Sequence, residues 1–169
     1  MPVKQHCGLS CVKFSLGFIL ATNSAIGFDW PQLRLTQIAS GSAAPTSIAD
    51  DGSGRLFVTE QSGRVMLVQS NGVLPFLDLR DRVQYFTGKE LGLLSVAFSP
   101  GFATNQHFYV FYNRQPDGAT TISRFFVSST NGNMGDVASE QTVLIIPPPA
   151  DAAFTLSGGP LVFGSDGFL

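Results

Sequence analysis

The sequence predicts an all-β chain built from repeated four-stranded antiparallel units, a partial β-propeller. Three observations predict it. First, one strand–turn–strand phrase recurs at Pro45–Val58 (PTSIADDGSGRLFV), Leu93–Val110 (LLSVAFSPGFATNQHFYV) and Gly159–Leu169 (GPLVFGSDGFL), the last copy stopping inside its second strand. Second, from Phe28 onward the apolar runs are short, β-branched or aromatic, and bounded by Gly, Asn, Asp, Ser or Pro, with almost no helical periodicity. Third, a unit of this kind cannot bury its own faces, so its copies must stack on one another. The chain reads as about two units plus the opening of a third, the front part of a larger protein.

The elements follow in order. Leu33–Ala39 is expected to form a first strand, separated by Ser40-Gly41-Ser42 from the first unit. That unit is read as strands at Thr46–Ala49, Arg55–Glu60, Arg64–Gln69 and Leu74–Leu79. Its turns, Asp51-Gly52-Ser53-Gly54, Gln61-Ser62-Gly63 and Asn71-Gly72, are rich in residues that tolerate positive φ. Four consecutive antiparallel strands on tight turns make one propeller blade. A short, ambiguous helix candidate, Leu79–Phe86, leads to the second unit.

The second unit has strands near Gly92–Ser99, His107–Asn113, Thr120–Ser128 and Gln141–Pro147. The Asn, Gly and Ser content of Ser129–Ser139 predicts an exposed loop between the last two. Val96-Ala97-Phe98 and Leu161-Val162-Phe163 are continuous apolar runs, the pattern of innermost strands buried on both faces. Pro147-Pro148-Pro149 cannot belong to a central strand and reads as a stiff linker into the third unit.

The N-terminus differs in kind. Lys4 and Lys13 flank a polar start, Phe14–Ala21 is a compact apolar run, and Ala25-Ile26-Gly27 offers a small-residue cleavage pattern before Phe28. Residues 1–27 therefore read as a secretory signal peptide, and residues 28–169 as the mature chain, exported to a periplasmic or extracellular space. The run is far shorter than the roughly 20 residues of a spanning helix, so no stable membrane span is expected. Cys7 and Cys11 both lie in this leader, which leaves the mature chain without a thiol and excludes cysteine-based metal or nucleophilic chemistry.

Composition narrows the function further. Hydrophobic residues make up 44% of the 169, which opposes disorder, and charged residues only 13%, which is low for a free-standing surface. Net charge is −2 and the body has no Lys/Arg cluster, so no nucleic-acid partner is expected.

Most candidate motifs reduce to turns. Gly52-Ser53-Gly54 lacks the third glycine of a dinucleotide loop and lies between strands. Thr155-Leu156-Ser157-Gly158-Gly159 lacks the earlier glycine of a nucleophile elbow. His107 falls in an alternating strand, where a solvated position fits better than general-base work. Asp50-Asp51-Gly52 does not continue as a calcium loop. Arg80, Asp81 and Arg82 read as a solvated turn. Glu90 stands apart, directly before the apolar strand Gly92–Phe98, at the mouth where propeller loops converge; an exposed loop carboxylate and a ligand-facing carboxylate both fit it.

The series PTSIADDGSGRLFVTEQSGRV, PFLDL, ELGLLSVAFSPGFATNQHFYVFY, TTISRFFVS and GGPLVFGSDGFL resembles the N-terminal part of the soluble quinoprotein sugar dehydrogenases, the glucose/sorbosone and aldose sugar dehydrogenase family. The resemblance covers about Ile38 to Leu169. It implies a six-bladed β-propeller and exported enzymes that oxidise aldoses or related aldehydes with pyrroloquinoline quinone and calcium. In that chemistry a histidine base takes the substrate proton while the cofactor accepts the hydride. The family's histidine stands in a His-x-Gly-Gly phrase, which here is Leu156-Ser157-Gly158-Gly159, so leucine occupies the base position. Glu90 matches a Gln or Glu near the substrate, and Ser157 and Gly158 are the other substrate-side positions. The quinone and calcium ligands of the family lie beyond residue 169. The resemblance thus implies a fragment of a sugar dehydrogenase, with a small-molecule sugar as substrate of the full-length family, inactive as it stands; the alternative is a non-catalytic secreted propeller that binds a partner.

Overall fold

A computed structural model of the protein describes residues 31–149 and 158–169. The chain divides into Met1–Leu35 and Thr36–Leu169. In the first unit the described residues, 31–35, form no helix or strand. The expected leader, 1–27, lies outside the described residues.

The second unit is all-β, a partial β-propeller of two antiparallel meanders. The first sheet runs β1 (Pro45–Asp50), β2 (Leu56–Glu60), β3 (Arg64–Gln69) and β4 (Gly72–Asp78), in that spatial order. The second runs β5 (Leu93–Phe98), β6 (His107–Asn113), β7 (Thr120–Ser128) and β8 (Asn131–Ile146), again in order. A short helix, α1 (Phe102–Asn105), fills the β5–β6 connection and is anchored by buried Phe102.

The sequence repeat is visible in the ladders. Each innermost pair breaks register at the same place, between Pro45 and Ser47 in β1–β2 and between Leu93 and Ser95 in β5–β6. The inner strands are also stitched to one another in series. Thr46 Oγ1 donates to Leu93 O at 2.9 Å, and Leu161 N–H donates to Ser95 Oγ at 2.9 Å. The third copy thus takes its place beside the second sheet, with the Phe163 ring set edge-on to Tyr109 at 5.6 Å.

The two sheets are held together by phenylalanine. Phe57 and Phe76 from the first meet Phe98 and Phe108 from the second, with ring centroids 4.4 Å apart for Phe57–Phe98 and 5.1 Å for Phe76–Phe108. Phe102 and Phe125 extend the cluster. Each buried ring contributes roughly 1.5–3 kcal/mol by burial, and close ring pairs add about 0.5–1.5 kcal/mol. Alternation along β2, along β7 and at the start of β6 turns Phe57, Phe125 and Phe108 inward, as the pleat requires.

Several expectations are corrected. Leu33–Ala39 forms no strand, and Leu33 and Leu35 are exposed; among the described residues its apolar alternation has no partner strand. Leu79–Phe86 is not a helix: one turn, closed by the Val83 N–H on Leu79 O, stops at Val83, which makes an isolated bridge to Arg114. Ser129–Ser139 is not a loop, because β8 begins at Asn131 and pairs with β7 at Asn131, Gly135 and Asp136, with register shifts between. Its polar composition belongs to an edge strand with mostly exposed side chains. Gly135 is the exception that fixes it, since a Cβ there would press on Phe108 and Leu77 at 2.8 and 2.9 Å. Leu161–Phe163 belongs to no sheet, and Val162 is exposed rather than buried on both faces.

Candidate functional site

The site forms where the two inner strands and the third repeat converge. A cleft of about 460 Å³ is lined by Thr46, Ser47, Gln61, Glu90, Leu94, Gly158, Gly159 and Pro160, a volume in the range of small-molecule pockets. Of the residues expected on the substrate side, the structure brings Glu90 and Gly158 to one cleft. Leu156 and Ser157 lie outside the described residues.

One wall is built of hydroxyls. Buried Thr59 on β2 carries an Oγ1 that lies 2.7 Å from Thr46 Oγ1 and 2.9 Å from Ser47 Oγ, and it accepts the Ser47 N–H at 2.9 Å. The register break at Pro45/Ser47 allows two successive β1 residues to reach the same β2 hydroxyl.

Glu90 and Leu94 line the cleft as well, and Gln61 shapes the segment that carries them. The Gln61 carboxamide Nε2 donates to Lys89 O at 2.5 Å and to Leu91 O at 3.0 Å, the two carbonyls that flank Glu90. Gln61 O accepts the Leu93 N–H at 3.0 Å. Gly92, at φ +145, permits this approach, because any Cβ would stand 2.7 Å from Gln61 Cγ and closer still to the Gln61 carbonyl oxygen. Buried Asn113 completes the frame by accepting the Gly92 N–H at 3.1 Å. In the sequence Gln61 reads as a turn residue; its contacts are 28 and 30 positions away, and no local pattern reports them.

Glu90 itself is exposed and, among the described residues, is the one acidic side chain with neither an ion pair nor a hydrogen bond. Glu60 is its opposite. Fully buried at the end of β2, it takes the Ala43 N–H at 2.7 Å and an ion pair from Arg64 at 2.6 Å, and so ties the entering chain to the first sheet.

Other charged groups are structural. Burial works to raise the buried Asp51 carboxyl, but hydrogen bonds from Ser53 and Arg55 outweigh it and hold it below the usual carboxylate range. Arg55 also reaches Gly132 O and Asn133 on β8, joining the two sheets. The expected solvated turn at Arg80–Arg82 is only partly so, because Arg82 pairs with Glu140 of β8 at 2.5 Å. Glu140 accepts the Tyr112 hydroxyl, and burial together with this neighbour pushes Tyr112 up to about 12. His107 is far from base duty: its ring stands edge-on to Phe126 at 4.3 Å, and burial with Arg124 nearby lowers its pKa.

Pyrroloquinoline quinone carries three carboxylates and calcium needs several oxygen ligands. Among the described residues, the cleft lining includes no arginine or lysine and a single carboxylate. Among the described residues no group of three or more His, Cys, Asp or Glu side chains converges on a metal position. The residues lining the cleft do not fit either group. No helix among the described residues is long and apolar enough to cross a membrane.

Comparison with known proteins places this architecture. Hedgehog-interacting protein of Mus musculus is 34% identical over 152 residues, which cover 81% of this chain and 21% of that protein. HIPL1 protein of Arabidopsis thaliana is 36% identical over 90 residues, covering 47% of this chain and 13% of that one. The chain thus spans about a fifth or less of the length of these curated relatives. Among solved structures, a putative oxidoreductase (glucose dehydrogenase) of Thermus thermophilus matches with TM-score 0.66 and 25% identity, over 80% of this chain and 38% of that one. The pyrroloquinoline-quinone-bound aldose sugar dehydrogenase of Streptomyces coelicolor shares the fold with TM-score 0.63 at 22% identity, over 78% and 38%. Residues 42–169 match the profile described as Glucose / Sorbosone dehydrogenase, and the chain belongs to that family.

Proposed function

We propose that this chain is an exported propeller segment of the glucose/sorbosone dehydrogenase family that binds a partner at its cleft and does not turn over a sugar. One observation carries the reading. The cleft wall includes Gly158 and Gly159, the last two residues of the phrase in which, by the resemblance, leucine, Leu156, holds the position of the family's histidine base. Leucine neither accepts a proton nor hydrogen-bonds a hydroxyl. The remaining cleft groups are hydroxyls already engaged with Thr59, a carboxamide engaged with backbone carbonyls, and Glu90. They can recognise a ligand, and none is an oxidant. The identity to Hedgehog-interacting proteins over most of the chain supports a binding role, and the leader-like residues 1–27 support export.

A second reading is a quinone-dependent aldose dehydrogenase, which Glu90 favours by lying in the cleft and matching, by the resemblance, a substrate-side Gln or Glu. The two separate cleanly in a turnover assay. With pyrroloquinoline quinone, calcium and an aldose supplied, the chain is expected to reduce no artificial electron acceptor. Leu156→His is expected to leave that result unchanged, because the described residues lining the cleft include no arginine or lysine to hold the quinone carboxylates. A positioned general base is worth about 10²–10⁴-fold, so aldose-dependent turnover by the unaltered chain would overturn the binding reading.

A further inference from the structure

The cleft is asymmetric in charge. Among the described residues, Glu90 is the single ionisable side chain of the lining, and no cation lines the walls. Every other acidic group among the described residues has an arginine or a backbone N–H of its own, whereas Glu90 has none, although Lys89 is its chain neighbour. Its backbone is nevertheless held on both sides by one side chain, the Gln61 carboxamide. A free carboxylate on a fixed backbone is a group arranged before its partner arrives, which reduces the ordering cost of binding. Leu94 and Pro160 supply apolar wall on which a methylene stem can lie, and Thr46 at the rim adds an acceptor oxygen.

We infer that the cleft receives a cationic side chain of a partner protein, an arginine guanidinium best of all, with Glu90 as its counter-ion and Gln61 as the residue that positions Glu90. The inference rests on the reading of the cleft as a binding site. A guanidinium matches a carboxylate through two parallel N–H···O bonds, a geometry that a neutral sugar hydroxyl cannot offer. Asp117 shows the same pairing inside this fold, with Oδ1 taking Nε and Oδ2 taking Nη2 of Arg114.

The test uses the full 169-residue chain and two probes of equal shape, Nα-acetyl-arginine amide and its neutral isostere Nα-acetyl-citrulline amide, titrated by NMR. The arginine probe is expected to bind saturably with Kd on the order of 1 mM, the range for a ligand of this size. The citrulline probe is expected to bind at least about tenfold more weakly, and Glu90→Gln to abolish the difference. Gln61→Ala is expected to shrink the arginine-over-citrulline preference several-fold, a selectivity change that loss of stability alone does not produce. Equal binding of both probes, no saturable binding, or an unchanged preference in Glu90→Gln would overturn the inference. None of those results bears on turnover, so the binding reading stands or falls separately in the dye-reduction assay.

Discussion

Replacing Gly92 by alanine tests the frame that presents Glu90. Gly92 sits at φ +145 with its α-carbon pressed against Gln61, so the new methyl would lie 2.7 Å from Gln61 Cγ and nearer still to the Gln61 carbonyl. Carbonyl and strand start must separate by about 1 Å to relieve this, if the methyl is to reach an ordinary van der Waals distance. The bond from Leu93 N–H to Gln61 O and that from Gln61 Nε2 to Leu91 O, both 3.0 Å, lie directly in the path of that shift. Backbone strain of about 1–2 kcal/mol and one or two lost hydrogen bonds at about 1 kcal/mol each give a destabilisation of about 3 kcal/mol. Gly88→Ala is the control, because Gly88 also has positive φ (+80) but open space around its α-carbon; only the strain component, about 1 kcal/mol, is expected there. Urea denaturation followed by circular dichroism at low protein concentration measures both. A Gly92→Ala cost no larger than that of Gly88→Ala would refute the close approach and, with it, the bracket around Glu90.

Other outcomes follow from the same structure. Phe98→Ala removes the ring that contacts Phe57, Phe76, Phe102 and Phe108, and a loss of about 3–5 kcal/mol is expected by the same denaturation assay. Asp51 is held below the usual carboxylate range in the fold, so its contribution is complete above about pH 4 and is lost as pH falls through the lowered value; Asp51→Asn should flatten the acid limb of a stability–pH curve. Tyr112 is shifted the other way, so its contribution is complete below about pH 10 and is lost as pH rises toward about 12. Glu140→Gln should bring the Tyr112 titration, read by its near-ultraviolet absorbance, back toward the ordinary phenol range. The outer edge of β8 exposes Val143, Leu144, Ile145 and Ile146 in one uncharged run; the chain should self-associate in gel filtration, and Val143→Lys combined with Ile145→Lys should suppress this.

The repeat made most of the fold legible. PTSIAD and LLSVAF share a pattern because each is an innermost strand with the same register break, and the turns at Asn71-Gly72 and Gln61-Ser62-Gly63 fall where their composition places them. The failures have one physical origin. The strand at Asn131–Val137 is polar because it is an edge whose side chains mostly face water, and its pairing depends on Gly135 fitting against Leu77 and Phe108, a long-range contact. Leu33–Ala39 carries an alternating pattern without a strand to pair with among the described residues. At the site, Glu90 was legible because it immediately precedes an innermost strand. Gln61, Thr59 and Glu60 were not, because each acts through partners brought close only by the stacking of one sheet on the next.

The central claim is that this member of the family keeps the propeller cleft as a binding surface without quinone chemistry. Equilibrium dialysis of the 169-residue chain against pyrroloquinoline quinone and calcium tests it most directly. The expected result is no saturable retention of the quinone, in the unaltered chain and in Leu156→His alike. Stoichiometric, calcium-dependent retention by the unaltered chain would contradict the account.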